Sequence, residues 1–295
     1  MCTSFSSAMQ RLRNQLCSKC AAAVVLLLAL GLGATTLTEA DTDTFIYAAC
    51  SPSKYDPGSA FEANLKSLLT SITNASPTAA YSSFTAGNNG TTGDTPAAAA
   101  YGLYQCRGDL GNGDCGSCVR DALAQLNQMC PGAYAASLQL EGCYVRYDST
   151  SFLGQQDTAM VYRKCSTSTS SDASFLGSRD AVLGVLQVGG ANGYRTGSSG
   201  SVQGVSQCLG DLAAADCTAC LAQAVGQLKG TCGTALAADV HLAQCYVRYW
   251  ASGYYFRPSQ DYSQDDVGRT VAIIIGILAG LALIVVFISF LRKSC

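Results

Sequence analysis

Ten cysteines fall into two series of identical spacing, and this pattern constrains the fold more than any other feature of the chain. Both series read C-x8-C-x2-C-x11-C-x12-C, and the second begins 102 residues after the first. A sixth cysteine precedes each series, Cys50 in the first and Cys165 in the second. The chain therefore contains a tandem duplication. The two series are Cys106, Cys115, Cys118, Cys130, Cys143 and Cys208, Cys217, Cys220, Cys232, Cys245.

The composition restricts the class of protein. Sixteen cysteines and a single histidine in 295 residues argue against a cytosolic enzyme, because thiols stay reduced in the cytosol. The net charge of −2 and the pI near 5.3 argue against nucleic-acid binding, which depends on basic residues. Only 13% of the residues are charged and the mean hydropathy is +0.19, which indicates that part of the chain lies in a membrane.

Residues 1–40 have the features of a secretory signal peptide. A basic segment with Arg11 and Arg13 precedes an apolar run over residues 21–32, and small residues then allow cleavage before Asp41. An uncleaved signal anchor is the alternative. We expect cleavage, because the apolar run is short for a membrane span.

Residues 270–291 predict a transmembrane helix. These 22 residues carry no charge, and at 1.5 Å per residue they extend about 33 Å, enough to cross a hydrocarbon core of about 30 Å. Arg292 and Lys293 follow, so the positive-inside rule predicts a cytoplasmic tail over residues 292–295. A glycosylphosphatidylinositol signal is the alternative, but such signals usually lack a basic stop. We expect a type I membrane protein.

Two features of this region concern association with the membrane. Gly276 and Gly280 form a GxxxG step, a spacing that lets two membrane helices approach closely, so self-association through this face is predicted. The alternative is that these glycines reflect only the usual composition of membrane helices. Cys295 is the last residue and is a candidate for S-acylation.

The duplicated cysteines divide the ectodomain into two small domains and a stalk. We place the first domain at residues 41–152, the second at 156–257, and a polar stalk at 258–269. Each domain has roughly 100 residues, which is enough for one hydrophobic core.

The same two helices are predicted in each repeat. Ser59 and Glu62 form a capping box that starts the first helix, and Ser178 precedes a similar apolar run in the second repeat. Asp114 and Asp216 are the predicted N-caps of the second helices. The apolar residues expected to be buried on the second helices are Val119, Ala122, Leu123, Leu126 and Leu221, Ala224, Val225, Leu228.

Strands are predicted around the helices. Residues 44–49 and 158–164 lead into the first cysteine of each repeat, and the alternating Tyr-Val-Arg-Tyr segments also indicate strands. The predicted fold class is α+β, with two tandem small domains, each having two helices on an antiparallel sheet. Three disulfides would stabilise each domain, and six cysteines allow 15 pairings.

Two sequons are candidate N-glycosylation sites. Asn89 lies in a loop rich in Gly, Asn and Thr, and Asn74 begins a second sequon that Pro77 weakens.

The CxxC pairs could indicate redox or zinc chemistry. Cys115 with Cys118, and Cys217 with Cys220, each belong to a set of six in a secreted chain. Structural disulfides are therefore expected in place of a reactive thiol pair or a metal site.

The candidate catalytic residues do not form a recognisable set. Asp109 and Asp211 lie in short cysteine loops, where an aspartate commonly accepts turn amides. His241 has no counterpart in the first repeat and no nucleophile near it in sequence. We expect no enzymatic activity, no cofactor and no metal.

Arg146 and Arg248 occupy matched places between tyrosines in the two repeats. We expect both to project to solvent from the outer face, with a ligand-binding surface as the alternative. Residues 41–269 contain 13 basic and 19 acidic residues, a net charge of −6. This charge suits soluble sugars or apoplastic proteins better than an anionic polymer.

The cysteine core resembles the plant stress-antifungal (ginkbilobin-homologous) domain, and the resemblance covers nearly all of residues 42–258, twice. A signal, two such domains, one span and a short tail are similar to the plasmodesmata-located protein family. The resemblance implies the pairings Cys50–Cys130, Cys106–Cys115, Cys118–Cys143, Cys165–Cys232, Cys208–Cys217 and Cys220–Cys245.

The same resemblance implies a non-enzymatic role at the channels between plant cells. Members of the family restrict cell-to-cell traffic by promoting callose deposition, act in defence and are bound by viral movement proteins. Ginkbilobin binds mannose through residues that include an asparagine directly after the first cysteine. Ser51 and Ser166 occupy that place here, so mannose binding is not inferred.

Two hypotheses follow. The first is an organising or receptor-like protein of the plasma membrane at plasmodesmata, with an apoplastic ectodomain. The second is a carbohydrate-binding or antifungal module at the cell wall, for which the span is only an anchor. Candidate partners are the membrane, a second copy of the span, a cell-wall glycan or an apoplastic protein.

Overall fold

The structure, a computed structural model, describes residues 42–87, 98–190 and 192–254. The predicted signal peptide, stalk, span and tail lie outside these residues, as do Asn89, Gly276, Gly280 and Cys295. Within the described ranges, no helix is both long enough and apolar enough to cross a membrane. The type I topology therefore stays a prediction.

Each repeat contains five strands and two helices in the same order. The first repeat consists of β1 (Phe45–Cys50), α1 (Ala60–Ala75), β2 (Tyr81–Ala86), β3 (Ala100–Cys106), α2 (Asn112–Met129), β4 (Ala136–Leu140) and β5 (Cys143–Asp148). The second consists of β6 (Met160–Cys165), α3 (Ala173–Leu186), β7 (Tyr194–Ser199), β8 (Val202–Cys208), α4 (Ala214–Cys232), β9 (Ala237–Leu242) and β10 (Cys245–Ala251).

The two sheets have the same topology. Their strand orders are β1-β4-β5-β3-β2 and β6-β9-β10-β8-β7, and every pairing is antiparallel. Their registers also match, because Cys106 lies opposite Cys143 and Cys208 lies opposite Cys245. The predicted α+β architecture of two tandem domains is confirmed.

The first helices begin close to the predicted positions, but their caps differ. Ser59 caps α1 and its hydroxyl accepts the amide of Glu62, whereas the Glu62 carboxylate accepts the amide of Gly58. The capping box is therefore incomplete, because the Ser59 amide donates to the carbonyl of Asp56. In the second repeat the N-cap is Asp172, and Ser178 lies inside α3. The apolar run that follows Ser178 lies in α3 as predicted, and the helix begins at Ala173, upstream of Ser178.

The second helices begin two residues before the predicted caps. Gly111 and Ala213 are the N-cap residues, and neither makes a side-chain cap hydrogen bond. Asp114 and Asp216 lie in the first turn, where a negative charge interacts favourably with the helix dipole. Their predicted role as N-caps was therefore wrong, although both stabilise the same helix end.

The helices bury the predicted apolar faces against one side of each sheet. Seven of the eight residues predicted for the second helices are buried, and Leu123 is partly buried. The strands leading into Cys50 and Cys165 are Phe45–Cys50 and Met160–Cys165, close to the predicted ranges. The six disulfides join Cys50–Cys130, Cys106–Cys115, Cys118–Cys143, Cys165–Cys232, Cys208–Cys217 and Cys220–Cys245, the pairs that the resemblance implies.

Candidate functional site between the repeats

The two repeats contact each other through matched residues of their sheets. Tyr47 of β1 stacks on Tyr162 of β6, with ring centroids 5.3 Å apart and an angle of 16° between the ring planes. These tyrosines are equivalent, because Tyr47 lies opposite Gln139 and Tyr162 lies opposite His241 at matched places in the sheets. An approximate two-fold axis that relates the two repeats therefore passes through the interface near this tyrosine pair.

Reciprocal contacts extend this symmetry. A side chain at Gly108 would clash with Tyr194 of the second repeat, and one at Gly210 would lie 2.6 Å from the Tyr81 ring of the first. The Gly210 amide donates to Gln105 Oε1 at 2.9 Å. The repeated Gly-Asp-Leu segment thus supplies glycines that allow each repeat to approach a tyrosine of the other.

One end of the interface is built from buried charges. Arg248 of β10 is 5% exposed, and its Nη1 donates to Glu141 Oε1 and Oε2 of the first repeat at 2.6 and 2.7 Å. Its Nε and Nη2 donate to Asp239 Oδ2 of β9 at 3.0 and 2.7 Å. Glu141 also lies 3.6 Å from Arg107. An arginine of the second repeat is therefore held between carboxylates of both repeats.

These neighbours determine the protonation of Asp239. Burial alone would raise the pKa of this carboxyl, but the charges of Arg248 and His241 and their hydrogen bonds hold the pKa well below its ordinary value. Burial also raises the pKa of Tyr162 to about 12, and Asp239 adds to that effect. The aspartate is therefore ionised and the tyrosine neutral at any physiological pH.

His241 belongs to the same end of the interface. Its ring stacks on Tyr246 with centroids 4.9 Å apart, and the edges of Tyr47 and Tyr162 meet it at 5.4 and 5.6 Å. Its Nε2 lies 2.9 Å from Asp239 Oδ1. The single histidine is thus a packing residue of the contact between the repeats.

At the other end of the interface the two repeats contact each other through apolar side chains. Leu103 and Tyr144 of the first repeat pack against Leu209 of the second, and Phe152 and Leu153 join them from the segment that connects the repeats. The chemical difference follows from the sequence. Counting by the 102-residue repeat, Leu209 replaces Arg107.

The connecting segment, residues 149–159, is fastened to the second repeat. Gln244 accepts the amide of Asp157 at 2.8 Å and donates to the carbonyl of Gln155 at 2.9 Å. Asp211 Oδ2 accepts the amide of Gly154 at 3.3 Å. The two repeats are therefore joined by the interface and by this segment, which closes over its apolar end.

A cleft of about 280 Å³ lies between the connecting segment and the two repeats. The guanidinium of Arg146 lies 4.0 Å from the centre of the Phe152 ring and 3.7 Å from Asp148. The residues that line it include Arg146, Asp148, Phe152, Asp157, Asp211 and Gln244. Arg248 is buried in the interface and Arg146 lines a cleft, so the expectation that both project to solvent was wrong.

The other candidate residues have separate places. Asp109 is exposed and pairs with Arg107 at 2.7 Å, while Asp211 binds the connecting segment. We expected each aspartate to accept amides of its own turn. Instead, Asp109 pairs with Arg107, and Asp211 accepts the amide of Gly154. The CxxC cysteines are all in disulfides.

The residues related to modification and sugar binding lie away from this interface. The hydroxyls of Ser51 and Ser166 accept the amides two residues ahead, both at 3.1 Å. Asn74 is exposed in the last turn of α1, whereas Ser76 of its sequon is buried and donates to Thr73. Glycosylation of Asn74 stays a prediction.

Comparison with known proteins gives matches over both repeats. The family described as Salt stress response/antifungal matches residues 49–150 and 163–252. Plasmodesmata-located protein 8 of Arabidopsis thaliana is 47% identical over 255 residues, covering 86% of this chain and 91% of the relative. Plasmodesmata-located protein 6 of the same plant is 44% identical over 279 residues, covering 92% and 96%.

A solved structure gives the same result. The crystal structure of the tandem DUF26 ectodomain from the Arabidopsis thaliana cysteine-rich receptor-like protein PDLP8 aligns with a TM-score of 0.68 at 47% identity. The alignment covers 72% of this chain and 100% of that ectodomain.

Proposed function

The chain belongs to the plasmodesmata-located protein family, and on this premise we propose that it is a non-enzymatic, receptor-like protein of plasmodesmata that regulates cell-to-cell trafficking. The observation that carries the proposal is the extent of the match. Plasmodesmata-located protein 6 and this chain align over 92% of this sequence and 96% of the relative, so the likeness extends beyond the two cysteine-rich repeats.

The interface supports a recognition role. Buried ion pairs, stacked tyrosines and the connecting segment join the repeats into one compact unit. Of the residues considered for catalysis, Asp109 pairs with Arg107, while His241 packs between the repeats. We therefore assign these side chains to the stability of a binding module.

The proposal has a defined topology. The signal would direct the chain to the secretory pathway, residues 270–291 would anchor it in the plasma membrane, and both repeats would face the apoplast. In this position the ectodomain could promote callose deposition, contribute to defence and meet viral movement proteins. Gly276 and Gly280 would let two copies associate within the membrane.

A fluorescent fusion at the cytoplasmic end tests the location. We expect spots that span the wall between neighbouring cells and coincide with callose staining. An even distribution over the plasma membrane would contradict the proposal. The matched control is a chain that ends at Arg269, which removes the predicted span and is expected to be secreted.

The alternative is a carbohydrate-binding or antifungal module at the cell wall. A glycan array probed with the purified chain separates the two hypotheses, because tight and site-specific binding to a mannan would favour the module. The hydroxyls of Ser51 and Ser166 are engaged with their own turns, which argues against a mannose site at those positions.

A further inference from the structure

The approximate two-fold axis relates two arginines whose surroundings differ. Arg146 and Arg248 occupy equivalent places in β5 and β10, 102 residues apart. At Arg248 the first repeat supplies the carboxylate of Glu141. The residue equivalent to Glu141 in the second repeat is Ala243, which has no carboxylate to offer Arg146.

The space at Arg146 is correspondingly open. Its guanidinium rests against the Phe152 ring and lies 3.7 Å from Asp148, at the wall of the 280 Å³ cleft. A cleft of this volume has room for several water molecules or for a small organic ligand. At the other end of the interface, Glu141 pairs with Arg248 and also lies 3.6 Å from Arg107.

The ion pair at Arg248 indicates which chemical group of a ligand would bind to Arg146. A carboxylate on Arg248 accepts two short hydrogen bonds from one guanidinium nitrogen, a charge-assisted contact stronger than a neutral one. A ligand carboxylate could take the same place on Arg146. The ligand would then pair with Arg146 as Glu141 pairs with Arg248.

The rest of the cleft is acidic. Asp148, Asp157 and Asp211 line it together with Arg146, so the carboxylates outnumber the guanidinium. An ammonium group in the cleft would be attracted by these carboxylates. A simple anion would be repelled by these aspartates, whereas a zwitterion satisfies both charges.

We propose that this cleft is a binding site for a small zwitterion, an amino acid or dipeptide whose carboxylate pairs with Arg146 and whose ammonium faces the aspartates. The volume fits a molecule of this size. The site exists only in the tandem arrangement, because β5, the connecting segment and residues Leu209, Asp211 and Gln244 of the second repeat all line it. The inference does not depend on the location of the protein in the cell.

Isothermal titration of the purified full-length chain with L-alanyl-L-alanine tests the site. The same dipeptide with an amidated carboxyl end lacks the carboxylate, and the N-acetylated dipeptide lacks the ammonium. We expect saturable binding of the free dipeptide and at least tenfold weaker binding of both derivatives. Methyl α-mannoside, a neutral sugar, should not compete. Absence of dipeptide binding, or equal binding of either derivative, would overturn the proposal.

Two variants locate the binding in the cleft. Arg146→Gln removes the guanidinium, and Ala243→Glu introduces a carboxylate at the position equivalent to Glu141, where it would occupy Arg146 from within the protein. Each should weaken dipeptide binding at least tenfold. Arg163→Gln, at an exposed arginine of β6, is the matched control and should change the affinity less than twofold. Unchanged binding in both Arg146→Gln and Ala243→Glu would contradict the assignment.

Discussion

The guanidinium of Arg248 in the second repeat holds the carboxylate of Glu141 in the first repeat, with both oxygens within 2.7 Å of one nitrogen. Arg248 is also bound to Asp239 of its own repeat, so one cation joins acidic groups from the two domains. Removing charges from water is costly, and such a cluster is stable only when each member keeps its partners. This requirement makes the relative position of the repeats specific.

The first prediction concerns that ion pair. Glu141→Gln should lower the free energy of unfolding by about 1–3 kcal/mol, because Arg248 loses a charged partner while remaining bound to Asp239. Urea denaturation of the purified chain measures the change. Lys66→Ala, which breaks the exposed pair with Glu62, is the control and should leave the stability nearly unchanged. Equal effects of the two variants would contradict a special role for the buried pair.

The second prediction concerns pH. Arg248 and His241 lower the pKa of Asp239 in the folded state, against the opposite effect of burial. A carboxyl with a lowered pKa stabilises the fold above its unfolded pKa, about 3.9, and this contribution is lost as the pH falls through the folded value.

The stability difference between the wild type and Asp239→Asn should therefore not shrink between pH 7 and about 5. It should shrink only below about pH 4. Urea denaturation at several pH values measures it. A difference that shrinks between pH 7 and 5 would indicate that another group controls the interface.

The third prediction concerns the close approach of the repeats. A methyl group at Gly210 would lie 2.6 Å from the Tyr81 ring, so Gly210→Ala should lower the free energy of unfolding by about 1–3 kcal/mol. Gly226 lies within α4 with open space around it. Gly226→Ala should instead stabilise the chain by about 0.5–1 kcal/mol, because alanine favours the helix. Thermal unfolding of both variants distinguishes contact between the repeats from a general intolerance of alanine.

Local signals made much of the fold predictable. The strands near Cys50 and Cys165 and the apolar faces of α2 and α4 depend on alternation and helical periodicity, which are visible within a few residues. The disulfide pairing was different, since the spacing left 15 possibilities and the resemblance supplied the choice. The start of α3 was not predicted, because the apolar run was counted only from Ser178. The helix begins after its N-cap Asp172, and its first turn already places Phe175 in the core.

The candidate site could not be predicted in the same way. Alternation places Arg248 on the face of β10 opposite the helices, but it cannot show that another domain covers that face. The sequence signal that could have indicated it is a difference between the repeats. Arg107 and Glu141 of the first repeat correspond to Leu209 and Ala243 of the second. These substitutions make one end of the interface charged and leave the other open.

The proposed role in trafficking is tested by the movement of a freely diffusing fluorescent protein out of single leaf epidermal cells. Cells that also express this chain should label fewer neighbouring cells than cells with an empty vector, and callose staining at their plasmodesmata should increase. Movement equal to that of the vector control, in cells where the chain is present at the wall-spanning spots, would contradict the proposed function.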